Sequence, residues 1–574
     1  MPNPCGLARV AAPGQSTRVP SAESLRIFGA SPETRRRLSL ELHGGILQAP
    51  WPNALQPTAW IAILFQALLS GAADLVSLGR ITGGASLLSA VEQTRLRVSK
   101  GTEAKKKAQL GQFLTPARTA QFMAGLFPST ARGICRLLDP GAGIGSLSSA
   151  FLDRCSFGDL HFDKVELSAF ELDSLLHDEL SSTLASYSER VPLTYDVLGG
   201  DFIEEAVNRI QFSHENDFTH TILNPPYKKI NSKSRYRLLL RQAEIETVNL
   251  YSAFVALALA LMSLGGQLVA IIPRSFCNGP YYRPFREFVL ERAAIRHMHL
   301  FASRDTAFQD DQENVIIMLE RGGRQGDVTV TTSTDDRFTD LVTHAHSFDR
   351  IVFSDDRERF IHVPTSPERN AIELSAAIGY SLDDLGLKVS TGPVVDFRLK
   401  HHLRNMPETG TVPLLYPSHF TGHGSEWPKA GMKKPNAIRR NAETEKWLYP
   451  TGFYCVVRRF SSKEENRRIV ASVVHPGAFA DAEVLGFENH LNVFHEGKQG
   501  LSEALAYGLA VFLNTTAVDE NFRRFNGHTQ VNATDLRLIK YPGRETLIAL
   551  GEWAIHCGQP TQAMIDEQLE RLSA

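Results

Sequence analysis

Between about residues 109 and 321, short apolar runs alternate with longer stretches whose apolar positions recur every three to four residues. The short runs, at 135–139, 166–171, 219–224, 267–272 and 314–319, predict strands. The longer ones, at 115–126, 146–153, 172–187, 250–264 and 281–290, predict helices. A strand that rejoins its sheet through a helix pairs in parallel with its neighbour, and the helices then cover both faces. The pattern predicts a doubly wound α/β domain with a parallel sheet. In such sheets ligands sit beyond the carboxyl ends of the strands, so the residues following each strand matter most.

The flanks read differently. Residues 1–20 have the texture of a flexible tail, and 21–105 that of a helical region, with Ile61, Leu64, Phe65, Leu68 and Leu69 on one face. The α/β domain is expected over 106–375, where the polar turn and strand at 322–336 read as a sheet edge. Over 376–545 there are many short segments, prolines, histidines and aromatics with little helical period, which predicts a mixed, irregular second domain. Residues 546–574 predict a C-terminal helix.

With 574 residues, 43% apolar and 22% charged, the chain is of ordinary globular composition and long enough for several domains. A formal net charge of −2 excludes a uniformly basic polymer, although a local basic face is compatible with it. The six cysteines form no CxxC pair, which excludes a zinc ribbon and suits a reducing compartment. The apolar stretches at 60–69 and 253–264 are shorter than the roughly 20 residues that span a bilayer. The N-terminus has no continuous apolar core, so no signal peptide is expected and the protein is read as cytoplasmic, without a membrane partner. His401-His402 and His419/His423 lack a third ligand at a suitable spacing, and no metal is expected.

Candidate chemistry sits at three strand ends. The first strand runs into Asp139-Pro140-Gly141-Ala142-Gly143-Ile144-Gly145 and then a helix; three glycines in five positions let the backbone turn tightly and approach a ligand. The spacing is neither the dinucleotide GxGxxG nor a P-loop, and a plain tight turn is the alternative. Glu171 closes the next strand, and Asp201-Phe202 follows Gly199-Gly200. A carboxylate at the second strand's end can take both ribose hydroxyls of a nucleoside cofactor, while either acid alone is equally a helix-start carboxylate favoured by the helix dipole. The third motif, Asn224-Pro225-Pro226-Tyr227, is the most specific. Its prolines fix the backbone and leave the sheet ladder, presenting an amide, the Pro225 carbonyl and an aromatic face. Those groups suit an exocyclic amino group: two acceptors for its hydrogens and a ring to stack on.

In this order the motifs resemble the gamma class of N6-adenine DNA methyltransferases, the TaqI-like enzymes of type II restriction–modification systems, over roughly 109–321. Residues 111–116 resemble the segment in which Thr115 and Pro116 touch the cofactor; Asp139, Pro140, Gly141, Ala142, Gly143 and Gly145 resemble the S-adenosylmethionine loop. Glu171 resembles the ribose-binding acid, Asp201 and Phe202 the pair that reads the cofactor's adenine, and Phe254 lies in a further matching segment, 249–254. The segment 272–276 also matches. Asn224 to Tyr227 resembles the catalytic motif, with Asn224 also expected to touch the cofactor, and Phe308 falls where the family places a second aromatic against the target base.

The resemblance implies a Rossmann-like S-adenosylmethionine-dependent methyltransferase domain, followed by a target recognition domain. It implies direct methyl transfer to N6 of a flipped adenine in double-stranded DNA. A separate cognate restriction endonuclease is the expected functional partner, and a monomer the expected state, with a dimer as the alternative. Residues 398–468 hold 14 lysines and arginines against six glutamates, a local positive excess suited to phosphates. Arg398, Lys433, Lys434, Arg439, Arg440, Arg458 and Arg459 are the expected DNA contacts there, with Lys228, Lys229, Lys233 and Arg235 beside the flipped base. The same motif serves enzymes acting on protein glutamine or RNA adenine, and a fused nuclease–methyltransferase is a further alternative. The separate basic domain favours DNA.

Overall fold

The computed structural model describes residues 87–101, 114–302 and 313–573, apart from a few short stretches. The expected tail, most of the helical region and Phe308 lie outside the described residues. Of the expected N-terminal helices, α1 (Leu88–Gly101) is described.

The α/β region follows in chain order as α2 (Ala117–Gly125), β1 (Ile134–Pro140), α3 (Ser146–Phe157), β2 (Lys164–Phe170), α4 (His177–Ser188), β3 (Leu193–Leu198), α5 (Phe202–Phe212) and β4 (Phe218–Leu223). It continues with α6 (Arg235–Gln242), α7 (Leu250–Ala260), β5 (Met262–Pro273), α8 (Arg283–Arg292), β6 (Ala293–Phe301), β7 (Asn314–Arg321), β8 (Val328–Ser333) and β9 (Val342–His346). These strands form one nine-stranded sheet in the order β3-β2-β1-β4-β5-β7-β6-β8-β9. Successive residues of the central strands point to opposite faces. Leu137, Ile222, Val269 and Ile271 pack into one core with α2, α3 and α4, while Leu138, Leu223, Leu268 and Ala270 pack into the other with α5, α7 and α8. Burial on both faces is why the inner part of β5, Leu268 to Ile272, reads as an unbroken apolar run, whereas β4 buries His220 and Thr221 beside its apolar residues.

The expectation of an all-parallel sheet does not hold. β3, β2, β1, β4 and β5 are parallel, but β7 runs antiparallel to both β5 and β6. Leu300 pairs with Val315, so β6 and β7, consecutive in the chain, lie side by side and antiparallel. Nor is β8 the sheet edge, because β9 pairs along it. Five elements of this region escape the apolar pattern: β3, α5, α6, β6 and β9. The expected helix at 172–187 begins as a 3-10 turn at Ser174–Leu176, and the one at 250–264 ends at Ala260, where β5 soon takes over.

Beyond the sheet, β10 (Lys388–Thr391), β11 (Leu403–Arg404), β12 (Thr411–Leu415), β13 (Ala437–Arg439), β14 (Leu448–Pro450), β15 (Tyr454–Arg458), β16 (Ala471–Val474), β17 (Val484–Phe487) and β18 (Leu491–His495) form two small sheets, ordered β10-β18-β15-β16 and β11-β13-β12-β17-β14. Helices α9 (Glu503–Leu513), α10 (Thr516–Phe525), α11 (Ala533–Leu538), α12 (Arg544–Cys557) and α13 (Gln562–Ser573) follow. Helical structure thus begins some 40 residues before the expected C-terminal helix, and that helix is itself two, parted at Gly558. Glycines permit the closest helix approach: a Cβ on Gly508 of α9 would meet the Leu547 carbonyl oxygen at 1.7 Å. Arg274, just after β5, joins these helices to the α/β region. Its guanidinium donates to the carbonyls of Arg523 (2.8 Å) and Arg524 (2.6 Å) and pairs with Glu313 (3.2 Å).

Candidate active site

The sheet order reverses beside β1, and the polar residues gather at its carboxyl edge. After β1, Gly141, Gly143 and Gly145 all have positive φ (86°, 60° and 84°), a region side chains disfavour. At Gly143 a Cβ would also lie 2.8 Å from Leu114 Cδ2, so the Leu114 side chain would have to shift. The loop is held by its neighbour strand: the Gly141 and Ala142 N–H groups donate to the Phe170 carbonyl at 2.9 and 2.8 Å.

Glu171 follows β2 and is buried. Its carboxylate accepts the N–H of Gly143 (2.8 Å) and of Asp173 (2.7 Å), which fixes both oxygens. Burial outweighs these bonds and raises its pKa. Asp139 is fully buried, accepts the Ser148 hydroxyl at 2.5 Å, and is pushed up to about 7 by desolvation. At the start of α5, one oxygen of Asp201 accepts the Ile203 N–H (2.9 Å) and the other the Tyr236 hydroxyl. The Phe202 ring beside it contacts Phe254 at 5.0 Å between centroids.

After β4 the Asn224 amide donates to Thr115 Oγ1 at 3.1 Å. Its oxygen lies 3.1 Å from the Tyr227 hydroxyl, which is also 3.2 Å from the Ile271 carbonyl of β5. The start of α2 and the end of β5 therefore set the amide plane from two sides.

Between these groups lies a cavity of about 350 Å³, within the usual range for a cofactor site. S-adenosylmethionine presents a ribose diol, an adenine with an amino edge and a cationic sulfur. The cavity offers two oriented carboxylates, an aromatic wall and a glycine loop whose missing Cβ atoms leave room for backbone approach. The donor set fits that cofactor.

Comparisons with known proteins agree. Residues 168–308 match the family model described as Eco57I restriction-modification methylase. The chain is 52% identical over 496 residues to the Type II methyltransferase M.BsuBI of Bacillus subtilis, covering 85% of this chain and 98% of that one. This chain belongs to the Type II methyltransferases of restriction–modification systems. A second member, M.PstI of Providencia stuartii, is 40% identical over 472 residues, covering 80% and 92%. As a member of this family the protein uses S-adenosylmethionine as its methyl donor.

Of the expected cofactor residues of this methyltransferase, Thr115, Gly141, Ala142, Gly143 and the two carboxylates line the cavity, as do Phe202, Asn224 and Phe254. Pro116, Asp139, Pro140 and Gly145 do not line it; they shape the loop and helix starts behind it. Pro226 lines the cavity, whereas Pro225 and Tyr227 do not. Two expected DNA contacts, Lys228 and Lys229, stand in the cavity wall. Tyr236 stands there too, and the sequence reading missed it; Ser234, an N-cap that accepts the Arg237 N–H, is the signal that could have marked the start of α6.

The second basic group is largely paired. Arg235 binds Glu204 at 2.8 Å, Lys434 binds Asp396 at 2.7 Å, and Arg440 binds both Glu445 (3.0 Å) and Glu483 (2.7 Å). Arg439 lies 3.5 Å from Glu408, Arg458 pairs with Glu465, and Arg459 donates to the Asn489 carbonyl and to Gln530, each at 3.2 Å. Lys233, Arg398 and Lys433 are exposed and make no ion pair among the described residues. The histidine pair does have a carboxylate beside it. Glu443 reaches His402 Nε2 at 3.1 Å, and His402 Nδ1 meets the Asn441 amide at 3.3 Å, so both ring nitrogens are satisfied within the protein.

Proposed function

We propose that this methyltransferase acts on N6 of an adenine flipped out of double-stranded DNA, within one recognition sequence, and so protects DNA from a separate endonuclease of the same specificity. The observation that carries this reading is the fixed amide of Asn224 on the wall of the cofactor cavity. An attacking amino group must give up its hydrogens on one side so that its lone pair faces the methyl group. An amide oxygen can accept two hydrogens, so Asn224 Oδ1 is assigned as one acceptor for the amino group and the Pro225 carbonyl as the other. Bound S-adenosylmethionine supplies an electrophilic methyl group on a positively charged sulfur. The protein contributes position and electrostatics, and no enzyme nucleophile is required.

The target base must leave the stack to reach this edge. Tyr227 and Phe308 replace the lost stacking, each contact being worth about 1–3 kcal/mol. Lys233, Arg398 and Lys433 are assigned to phosphates, Lys228 and Lys229 to the border between cofactor and base, and the region after residue 376 to target recognition.

The test is single-molecule sequencing of DNA from cells expressing the protein, beside an Asn224→Ala control. Modified adenines in one sequence context, absent from the control, are expected. A folded, cofactor-binding protein that leaves DNA unmodified would redirect the assignment to a protein or RNA substrate.

A further inference from the structure

The segment after the catalytic motif turns back over the cofactor cavity. The Lys228 carbonyl accepts the Leu250 N–H at 2.8 Å and the Ile230 N–H donates to Val248 at 2.7 Å, which ties the chain to the start of α7. Ser234 then begins α6, whose first turn meets the first turn of α5 through two side-chain contacts. Arg235 pairs with Glu204, and the Tyr236 hydroxyl donates to Asp201. The Tyr236 ring is half-buried against the apolar core and borders the cavity.

The Asp201 carboxylate is therefore held on one oxygen by the Ile203 N–H and on the other by a phenol. It stands next to Phe202, whose ring and that of Phe254 form an aromatic wall of the cavity suited to a purine face. An ionised carboxylate at a purine edge is an acceptor only, so the group facing it must be a donor. A 6-amino group satisfies it and a 6-oxo group does not. A carboxylate free to rotate could turn away from the wrong group, whereas a clamped one leaves the mismatch buried and unpaired.

We propose that Tyr236 is a positioning residue for cofactor recognition: its hydroxyl holds Asp201 so that the site accepts a 6-aminopurine nucleoside and rejects the 6-oxo form. The inference rests on the reading that Asp201 faces the cofactor's adenine. It assigns Tyr236 no contact with the reacting atoms.

The experiment is calorimetric binding of S-adenosylhomocysteine and S-inosylhomocysteine to the full chain, neither of which can react. Tyr236→Phe keeps the ring in the core and removes only the oxygen. The wild-type protein is expected to prefer the adenine compound, and Tyr236→Phe to narrow that preference about tenfold, the scale of a hydrogen bond to a charged group. Glu204→Gln, which breaks the neighbouring ion pair alone, is expected to leave the ratio unchanged. Equal narrowing in Glu204→Gln would overturn the proposal, since the cause would be the α5–α6 contact and not the hydroxyl. An unchanged ratio in Tyr236→Phe with a collapsed one in Asp201→Asn would overturn it while keeping Asp201 as the purine-facing acid. Unchanged ratios in both variants would remove the reading of Asp201 and the proposal together.

Discussion

At the carboxyl ends of β2 and β3, the carboxylates of the cavity wall are oriented by neighbouring N–H and O–H donors, whereas in the stretch from Arg398 to Arg468 six of the 14 cations pair with carboxylates among the described residues. The first region spends backbone geometry on holding charge ready for a ligand. The second is basic by count, with several of its cations neutralised in place by neighbouring carboxylates. A functional charge is thus better recognised by what orients it than by how many like charges surround it. The two regions also differ in how local their determinants are, and the predictions below test that contrast.

The largest effect should come from Asn224. Asn224→Ala removes the acceptor for the amino group, and kcat is expected to fall by about 10³-fold or more, the scale of losing an oriented polar group in a transition state. Cofactor affinity, measured calorimetrically, should change little. A kcat within tenfold of wild type would end the role given to this amide. Thr115→Val is expected to lower kcat less, about tenfold, because Tyr227 still holds the amide oxygen.

Next comes the glycine loop. Gly143→Ala places a Cβ at a backbone φ of +60°, which side chains disfavour, and 2.8 Å from the Leu114 Cδ2 methyl, which must shift aside. Cofactor affinity is expected to fall by at least about tenfold, given a strain cost on the order of 1–3 kcal/mol. Calorimetry showing unchanged affinity would mean that the loop tolerates the shift and does not need its geometry.

These site residues were legible because their signals are local. Glycines and prolines between a strand and a helix dictate backbone shape wherever the rest of the chain goes, so the loop at Gly141 and the turn at Pro225 fell where expected. Strand direction is not written in an apolar run, which is why β7 read like its parallel neighbours. The strand β3 was missed because it lies at the sheet edge, with only Leu193 buried along it. The helix α6, Arg-Tyr-Arg-Leu-Leu-Leu-Arg-Gln, was read for its charge, and Tyr236 within it went unnoticed. Two of the ion pairs were invisible for another reason: their carboxylates, Asp396 and Glu483, lie outside the window in which the basic excess is counted.

A pH experiment probes the buried side of the cavity region. Desolvation raises Asp139 to about 7, above the ordinary aspartate range, so the folded protein binds this proton more tightly than the unfolded chain does. The stabilisation from this group is present in full below about pH 4 and is lost as pH rises toward 7, beyond which it is constant. Asp139→Asn, which cannot ionise, should remove that part of the slope when stability is measured by denaturant titration between pH 5 and 8. An identical slope in the variant would show that Ser148 already stabilises the ionised form.

The smallest effect lies in the C-terminal sheets. Releasing one counterion by neutralising one phosphate changes the slope of log K against log salt by about 0.9. Lys433 is exposed and makes no ion pair among the described residues, so Lys433→Gln is expected to lower that slope by nearly this amount in DNA-binding titrations. Arg440, already held by Glu445 and Glu483, should release no counterion, and Arg440→Gln should leave the slope unchanged. Both substitutions remove one positive charge, so net charge alone predicts the same change for each. Equal slopes in the two variants would mean that the carboxylates around Arg440 yield to phosphate, and that the simple count of cations describes the DNA-facing surface after all.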